Sequence, residues 1–166
     1  KIKIDKKSKL NIKKIKISSK IKKTIHNHLL LVYTKIKRES SKVVLSQKRR
    51  EEKIIRYYDK IKNLNKFLIN ALQSKNSELL ADIFKEHWEY KKKLSNQMTS
   101  KPINILFEKF IRKYNFSGGK LVGAGGGGFF LMVTKNKKSV IKRLKKDRIG
   151  FIDFKVENIG SRIIES

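Results

Sequence analysis

The chain has 166 residues, enough for one domain with a sizeable hydrophobic core. It contains no cysteine, which excludes disulfides, thiolate nucleophiles and metal–thiolate sites. No apolar run approaches the ~20 residues that a membrane-spanning helix needs. The first residue is Lys rather than Met, which suggests a fragment, a processed chain or a trimmed one. No secretory signal is recognisable, so we expect a cytoplasmic protein without a membrane partner.

The formal net charge of +29 would allow binding to nucleic acid, because a basic surface releases counterions from a polyanion. Only eight of the 43 basic residues are Arg, however, and Arg is the usual residue for bidentate contacts to phosphate and guanine. The lysines are spread along the chain and accompany abundant Ile and Asn, a composition typical of AT-rich coding sequence. We therefore expect a solvated basic surface, on which any nucleic-acid binding is non-specific.

Residues 1–27 form a basic segment in which Lys and Ile alternate at the start. This pattern predicts an edge strand followed by a loosely held arm, and we interpret the segment as the end of a preceding domain. Residues 28–36 are apolar, β-branched and few, as expected of a buried strand.

The middle of the chain has the apolar spacing of amphipathic helices. Ser40 or Ser41 can cap a long helix or a helix pair, whose apolar residues recur at three- and four-residue steps up to Leu72. A further helix is predicted over residues 77–94, with Asn76 as its N-cap.

A third helix opens at Pro102, and we expect the pair Gly118 and Gly119 to end it. Beyond that point the apolar period changes from that of a helix to that of a strand. A helix is predicted over residues 136–148, and strands over residues 119–122, 129–134 and 151–156. This order of elements favours an α+β fold, a mainly antiparallel sheet with helices packed on one face.

Five of the nine glycines lie between Gly123 and Gly128. Glycine weakens the interior of an element, so such a cluster indicates a close approach of the backbone to another group. A dinucleotide-binding loop would open a helix, whereas a strand is predicted here, and no Lys-Ser or Lys-Thr pair follows as in a P-loop. Two alternatives stay open: a loop whose amides face a phosphate, and a tight β-turn without a ligand.

The wider sequence around the glycines resembles a known family. The stretch GGKLVGAGGGGFFLM at residues 118–132 resembles the third conserved motif of the GHMP kinases, the superfamily of galactokinase and of homoserine, mevalonate and phosphomevalonate kinases. Three further blocks resemble the branch of D-glycero-D-manno-heptose 7-phosphate kinases and similar sugar kinases: HLLLVYTKIKRESSKVV at 28–44, EHWEYKKKLSNQM at 86–98 and ENIGSRII at 157–164. Lys35 stands where that branch has a glycine and His87 where it has an asparagine, which leaves the sugar open.

The resemblance implies that residues 28–166 are the C-terminal domain of a two-domain kinase, with a ferredoxin-like fold and extra helices. The N-terminal domain of such kinases carries a phosphate loop and the catalytic Asp, and this sequence spells no such loop. The implied reaction is phosphoryl transfer from ATP to a hydroxyl of a sugar phosphate. ATP and Mg²⁺ would be held mainly by an N-terminal domain supplied in cis or in trans, and no catalytic or metal-ligating residue is expected in this chain.

The resemblance also implies which residues line the cleft. Those expected beside the phosphate loop and ATP are Lys120, Gly123, Ala124, Gly125, Gly126 and Gly127. Those expected near the sugar phosphate are Arg38, Trp88 and Lys91. Each charged residue has a plainer alternative as a solvated or ion-paired side chain, and Trp88 has one as a core residue. We interpret His87 as a satisfied interior residue.

A second class of function also stays open, that of a non-enzymatic basic domain that binds nucleic acid or another polyanion. It predicts salt-sensitive binding to DNA or RNA that is lost when residues 1–23 are removed. The aromatic residues lie at core-like positions rather than among the lysines, so stacking platforms are not evident.

Overall fold

The computed structural model describes residues 2–4, 7, 9–12, 17–37, 40–46 and 52–156. The elements in chain order are β1 (Ile2–Ile4), β2 (Leu10–Ile12), α1 (Ser19–His28), β3 (Leu29–Tyr33), α2 (Ser40–Ser46), α3 (Glu52–Gln73), α4 (Ser77–Lys92), α5 (Lys101–Tyr114), β4 (Gly118–Leu121), β5 (Phe129–Val133), α6 (Lys137–Lys146) and β6 (Phe151–Ile152). Within these described ranges, no helix is long and apolar enough to cross a membrane.

The main sheet has four strands in the order β4-β5-β3-β6, and each neighbouring pair is antiparallel. Its centre is the pairing of β3 with β5, which runs from Leu29 opposite Val133 to Tyr33 opposite Phe129. Strands β1 and β2 form a separate antiparallel pair. The predicted α+β class and the antiparallel sheet are confirmed.

Helices cover both faces of the main sheet, whereas the sequence predicted one. Successive side chains of a strand point to opposite faces. Leu30 and Met132 face a core cluster with residues of α5 and α6, and Leu29 and Val133 face a second cluster with residues of α3 and α4. The strands are apolar at nearly every position, as expected when both faces are buried.

Residues 19–28 form helix α1, where a loosely held arm was predicted. The Ser18 hydroxyl accepts a hydrogen bond from the Ile21 amide at 3.3 Å and caps the helix. Ile21 is buried, and Ile25 packs against the cluster that contains α3 and α4. Ile21 and Ile25 are four residues apart and therefore share one helix face, but the many lysines around them obscure this spacing in the sequence.

The end of α5 also differs from the prediction. Helix α5 stops at Tyr114, and Asn115 takes the left-handed conformation with φ 58° and ψ 45°. Asn tolerates this conformation better than most residues. Gly118 and Gly119, which were expected to end the helix, begin β4 instead. A Cβ on either one would lie 2.7 Å from a backbone carbonyl oxygen, so close packing of the strand explains why both residues are glycine.

The last strand is shorter than predicted, since β6 covers Phe151–Ile152 rather than residues 151–156. Beyond it, the Val156 amide donates a hydrogen bond to Nε2 of His26 at 3.1 Å. The chain after β6 is therefore tied to α1 rather than to the sheet.

Candidate functional site

The glycine loop, residues 122–128, connects β4 to β5 and rests on two other segments of the chain. The Val122 amide donates to the Phe129 carbonyl at 2.9 Å and closes the base of the loop. The Gly126 amide donates to the carbonyl of Met98, between α4 and α5, and the Gly128 amide to that of Ile36, after β3, each at 3.0 Å. The loop is thus anchored on one side by this chain's own backbone.

Gly125 and Gly127 are required by that anchoring. A Cβ on Gly125 would lie 2.9 Å from the Met98 carbonyl oxygen, and a Cβ on Gly127 would lie 2.4 Å from that of Ile36. Both glycines also have a left-handed φ, 112° and 149°. Close packing within the chain, one of the two alternatives left open by the sequence, therefore explains these two residues.

The other side of the glycine loop is open. Gly123 is exposed, and Ala124 and Gly126 are partly exposed. Within the part of the chain that the structure describes, the Gly123 amide donates to no protein acceptor. The Gly123 amide is therefore available to an anion or to a neighbouring domain, while hydrogen bonds to Met98 and Ile36 hold the loop in place.

Thr34 and Lys35 support the back of the loop. The buried Thr34 hydroxyl donates to the Gly128 carbonyl at 2.8 Å and accepts from the Ile36 amide at 3.1 Å. Between them, Lys35 has a φ of 59°. A left-handed conformation favours glycine, which gives a physical reason for the glycine expected at this position.

We expect Lys35→Gly to raise the free energy of unfolding by ~0.5–1 kcal/mol. An L-residue in the left-handed region costs ~1–2 kcal/mol, and the greater freedom of glycine in the unfolded chain offsets part of the gain. Urea denaturation followed by circular dichroism measures the change. Lys37→Gly is the matched control: Lys37 is also exposed but has no left-handed φ, so glycine there should lower stability. Equal effects of the two changes would contradict the strain at Lys35.

The ammonium groups of the two lysines of the predicted site contact different parts of the chain. The Lys91 ammonium donates to the carbonyls of Leu121, at 3.4 Å, and of Gly123, so it lies at the start of the glycine loop. The Lys120 ammonium is 5.2 Å from the centre of the Phe84 ring and is directed at α4. Burial lowers the pKa of Lys120.

His87 is not the satisfied interior residue that the sequence predicted. Its Nδ1 is buried and has no hydrogen-bond partner among the described residues. Burial, together with the smaller effect of the positive charges of Lys120 and Lys91, lowers the pKa of His87 to about 4. The imidazole is therefore neutral at physiological pH.

Trp88 lies in the hydrophobic core with only 1% of its surface exposed, which is the plainer alternative left open by the sequence. It presents no surface on which a sugar could stack. Arg38 lies outside the described residues. The structure thus brings Lys91 to the glycine loop and Lys120 to α4, and it buries Trp88 in the core.

Comparisons with known proteins agree with the resemblance. No family model matches the chain. The chain is 33% identical, over 118 residues, to the bifunctional fucokinase/GDP-fucose pyrophosphorylase of Arabidopsis thaliana; the match covers 70% of this chain and 11% of the relative. Among solved structures, the Methanococcus jannaschii mevalonate kinase is similar at 25% identity and a TM-score of 0.58, covering 87% of this chain and 43% of the kinase.

Two further structures share the fold at lower identity. A D-glycero-D-manno-heptose 1-phosphate kinase from Bacteroides thetaiotaomicron matches with a TM-score of 0.62 and 18% identity, covering 93% of this chain and 40% of the kinase. The L. major mevalonate kinase in complex with R-mevalonate matches with a TM-score of 0.60 and 20% identity, covering 72% of this chain and 38% of the kinase. The chain thus spans less than half of each solved kinase and about a tenth of the curated relative. The resemblance to the GHMP kinases is confirmed, and the chain has the fold of their C-terminal domain.

Proposed function

We propose that this chain is the C-terminal part of an ATP-dependent sugar or sugar-phosphate kinase, which transfers a phosphoryl group to a hydroxyl of a heptose 7-phosphate or a similar sugar. One observation carries the proposal: the glycine loop is hydrogen-bonded on one side to the Met98 and Ile36 carbonyls, while Gly123 is exposed to solvent. Exposed backbone amides in a loop that is held in place by hydrogen bonds suit contact with a second domain and its nucleotide.

The residues at the open side of the glycine loop suit a phosphate. Among the described residues, the Gly123 amide has no protein acceptor, and the Lys91 ammonium contacts the carbonyl of the same residue. Phosphoryl transfer depends on positioning and on neutralising the charge of the moving group, and both kinds of donor serve that purpose. The proposal leaves Mg²⁺, the catalytic Asp and most ATP contacts to an N-terminal domain, in cis or in trans.

The similar proteins are named as kinases of fucose, mevalonate and a heptose 1-phosphate. These names support transfer of a phosphoryl group to a hydroxyl group, but they do not identify the substrate. The sequence blocks at residues 28–44 and 86–98 favour a sugar phosphate. The heptose kinase structure, which covers 93% of this chain, is consistent with that choice.

The test joins the chain to the N-terminal domain of a heptose kinase and measures ADP release with heptose 7-phosphate, fucose or mevalonate. We expect ATP-dependent turnover that exceeds the sum of the separate halves by at least about 100-fold, with heptose 7-phosphate as the preferred substrate, because neither half holds all the transition-state contacts. The chain alone and the N-terminal domain alone are the controls. A folded fusion that is inactive with all three substrates would contradict the proposal.

The net charge of +29 supports a second candidate, a non-enzymatic domain that binds nucleic acid or another polyanion. Binding to duplex DNA, measured by fluorescence anisotropy, should then weaken steeply with added salt and be lost when residues 1–23 are deleted. Binding that survives the deletion, or that is absent at low salt, would contradict this candidate.

A further inference from the structure

Two histidines at the end of α1 each hydrogen-bond to a backbone group from a distant part of the chain. The Val156 amide donates to Nε2 of His26 at 3.1 Å, and Nδ1 of His28 lies 2.9 Å from the Thr134 carbonyl oxygen. A backbone amide can only donate a hydrogen bond, and a carbonyl oxygen can only accept one. His26 therefore accepts through Nε2, whereas His28 donates through Nδ1.

These two roles respond differently to protonation. A ring nitrogen accepts only while it carries no hydrogen, and both nitrogens of an imidazolium carry one. A proton on Nε2 of His26 would turn that nitrogen into a second donor facing the Val156 N–H, and the hydrogen bond would be lost. A proton on His28 adds a hydrogen at Nε2 and leaves donation from Nδ1 intact. The hydrogen bond of His26 thus depends on pH, while that of His28 does not.

The charged groups around His26 do not compensate for its protonation. Lys137, from α6, is buried and donates to the His26 carbonyl at 2.6 Å, and the same ammonium pairs with Asp153, after β6, at 2.5 Å. The other cations near this contact in sequence are Lys22 and Lys23, one turn earlier in α1, and Lys155, beside Val156. Among the described residues, His26 has no electrostatic partner on α3, which packs against α1. A proton on His26 would therefore add positive charge where the carboxylate of Asp153 is already paired.

We propose that His26 is a pH-sensitive switch that ties the chain after β6 to α1 at neutral pH and releases it on acidification. The hydrogen bond to Val156 is present while His26 is neutral, and it is lost as the pH falls through the range of about 8 to 5 in which histidine side chains become charged. Phe154 packs against the cluster that contains α3 and α4, so the release begins beyond it. The sequence block at residues 157–164 follows directly, so the switch acts next to a segment through which the chain resembles the kinases.

The test is hydrogen exchange of the Val156 amide in the full chain, measured by NMR at about pH 7.5 and at about pH 5. Expressing the rates as protection factors removes the intrinsic dependence of amide exchange on pH. We expect the protection of Val156 to fall by about tenfold at the lower pH, because one hydrogen bond is lost. The Thr134 amide, which donates to the His28 carbonyl at 2.9 Å, should keep its protection and serves as the internal control.

His26→Gln is the decisive variant, because the glutamine side-chain oxygen can accept from the Val156 amide and does not titrate. Its protection of Val156 should be the same at both pH values. His26→Ala removes the acceptor, so Val156 should be unprotected at both. His28→Gln is the matched control: glutamine can still donate to the Thr134 carbonyl, and the response of Val156 to pH should persist.

Equal protection of Val156 at the two pH values in the unmodified chain would overturn the switch. A response to pH that persists in His26→Gln or His26→Ala would also overturn it, since another titrating group would then be responsible. The same holds if the Thr134 amide loses protection in parallel, because acid would then destabilise the whole domain. A glutamine that fails to accept would behave like alanine, and the absence of a pH response in both variants would still assign the effect to His26. None of these outcomes bears on the kinase proposal.

Discussion

Replacing Trp88 with alanine should lower the free energy of unfolding by ~3–5 kcal/mol, the range typical of truncating a buried tryptophan. Trp88 is 1% exposed and belongs to the core cluster that also holds Phe107, Leu121 and Phe130. Alanine would leave a cavity between α4 and the sheet that these neighbours can fill only in part. Because Trp88 is the only tryptophan, unfolding is best followed by circular dichroism in urea.

Phe67→Ala is the control for this change, since Phe67 on α3 is 56% exposed and its loss should cost less than about 1 kcal/mol. The pair separates a core role of Trp88 from a role as a sugar platform. A platform residue would leave stability almost unchanged on truncation and would raise the KM of the kinase fusion for its sugar. That result would contradict the core role assigned by the structure.

The elements that could be predicted from the sequence are those whose signals are local. Asn76 caps α4 by accepting from the Leu79 amide at 2.9 Å, and Asn136 caps α6 by accepting from the Ser139 amide at 3.0 Å. Such caps depend on residues three apart, so the sequence displays them directly. The short apolar runs that form β3 and β5 are equally local.

The features that could not be predicted depend on contacts between distant segments. The carbonyl oxygens of Met98 and Ile36 decide which glycines of the loop must lack a Cβ, and every residue type carries a carbonyl. The helices on the second face of the sheet, which pack α3 and α4 against β3 and β5, and the burial of His87 Nδ1 likewise depend on contacts between distant segments. Lys35 was recognised in the sequence only as a departure from the family's glycine, and its left-handed backbone is a finding of the structure.

Gly127→Ala should lower the free energy of unfolding by ~2–4 kcal/mol, because it combines a steric clash with an unfavourable backbone conformation. The added Cβ would lie 2.4 Å from the Ile36 carbonyl oxygen, and that oxygen belongs to backbone that also holds the Gly128 amide. Relief of the clash would break this hydrogen bond and detach the loop from its support. Urea denaturation measures the loss.

Gly150→Ala is the matched control, since a Cβ there would meet the Tyr33 Cβ at an ordinary 3.4 Å. It should leave stability unchanged or raise it by up to ~1 kcal/mol, through the reduced freedom of the unfolded chain. If Gly127→Ala proves equally harmless, the loop can adapt, and packing within this chain no longer explains the glycine. The requirement would then come from the partner domain, and the same substitution should reduce turnover of the kinase fusion while the fold remains intact.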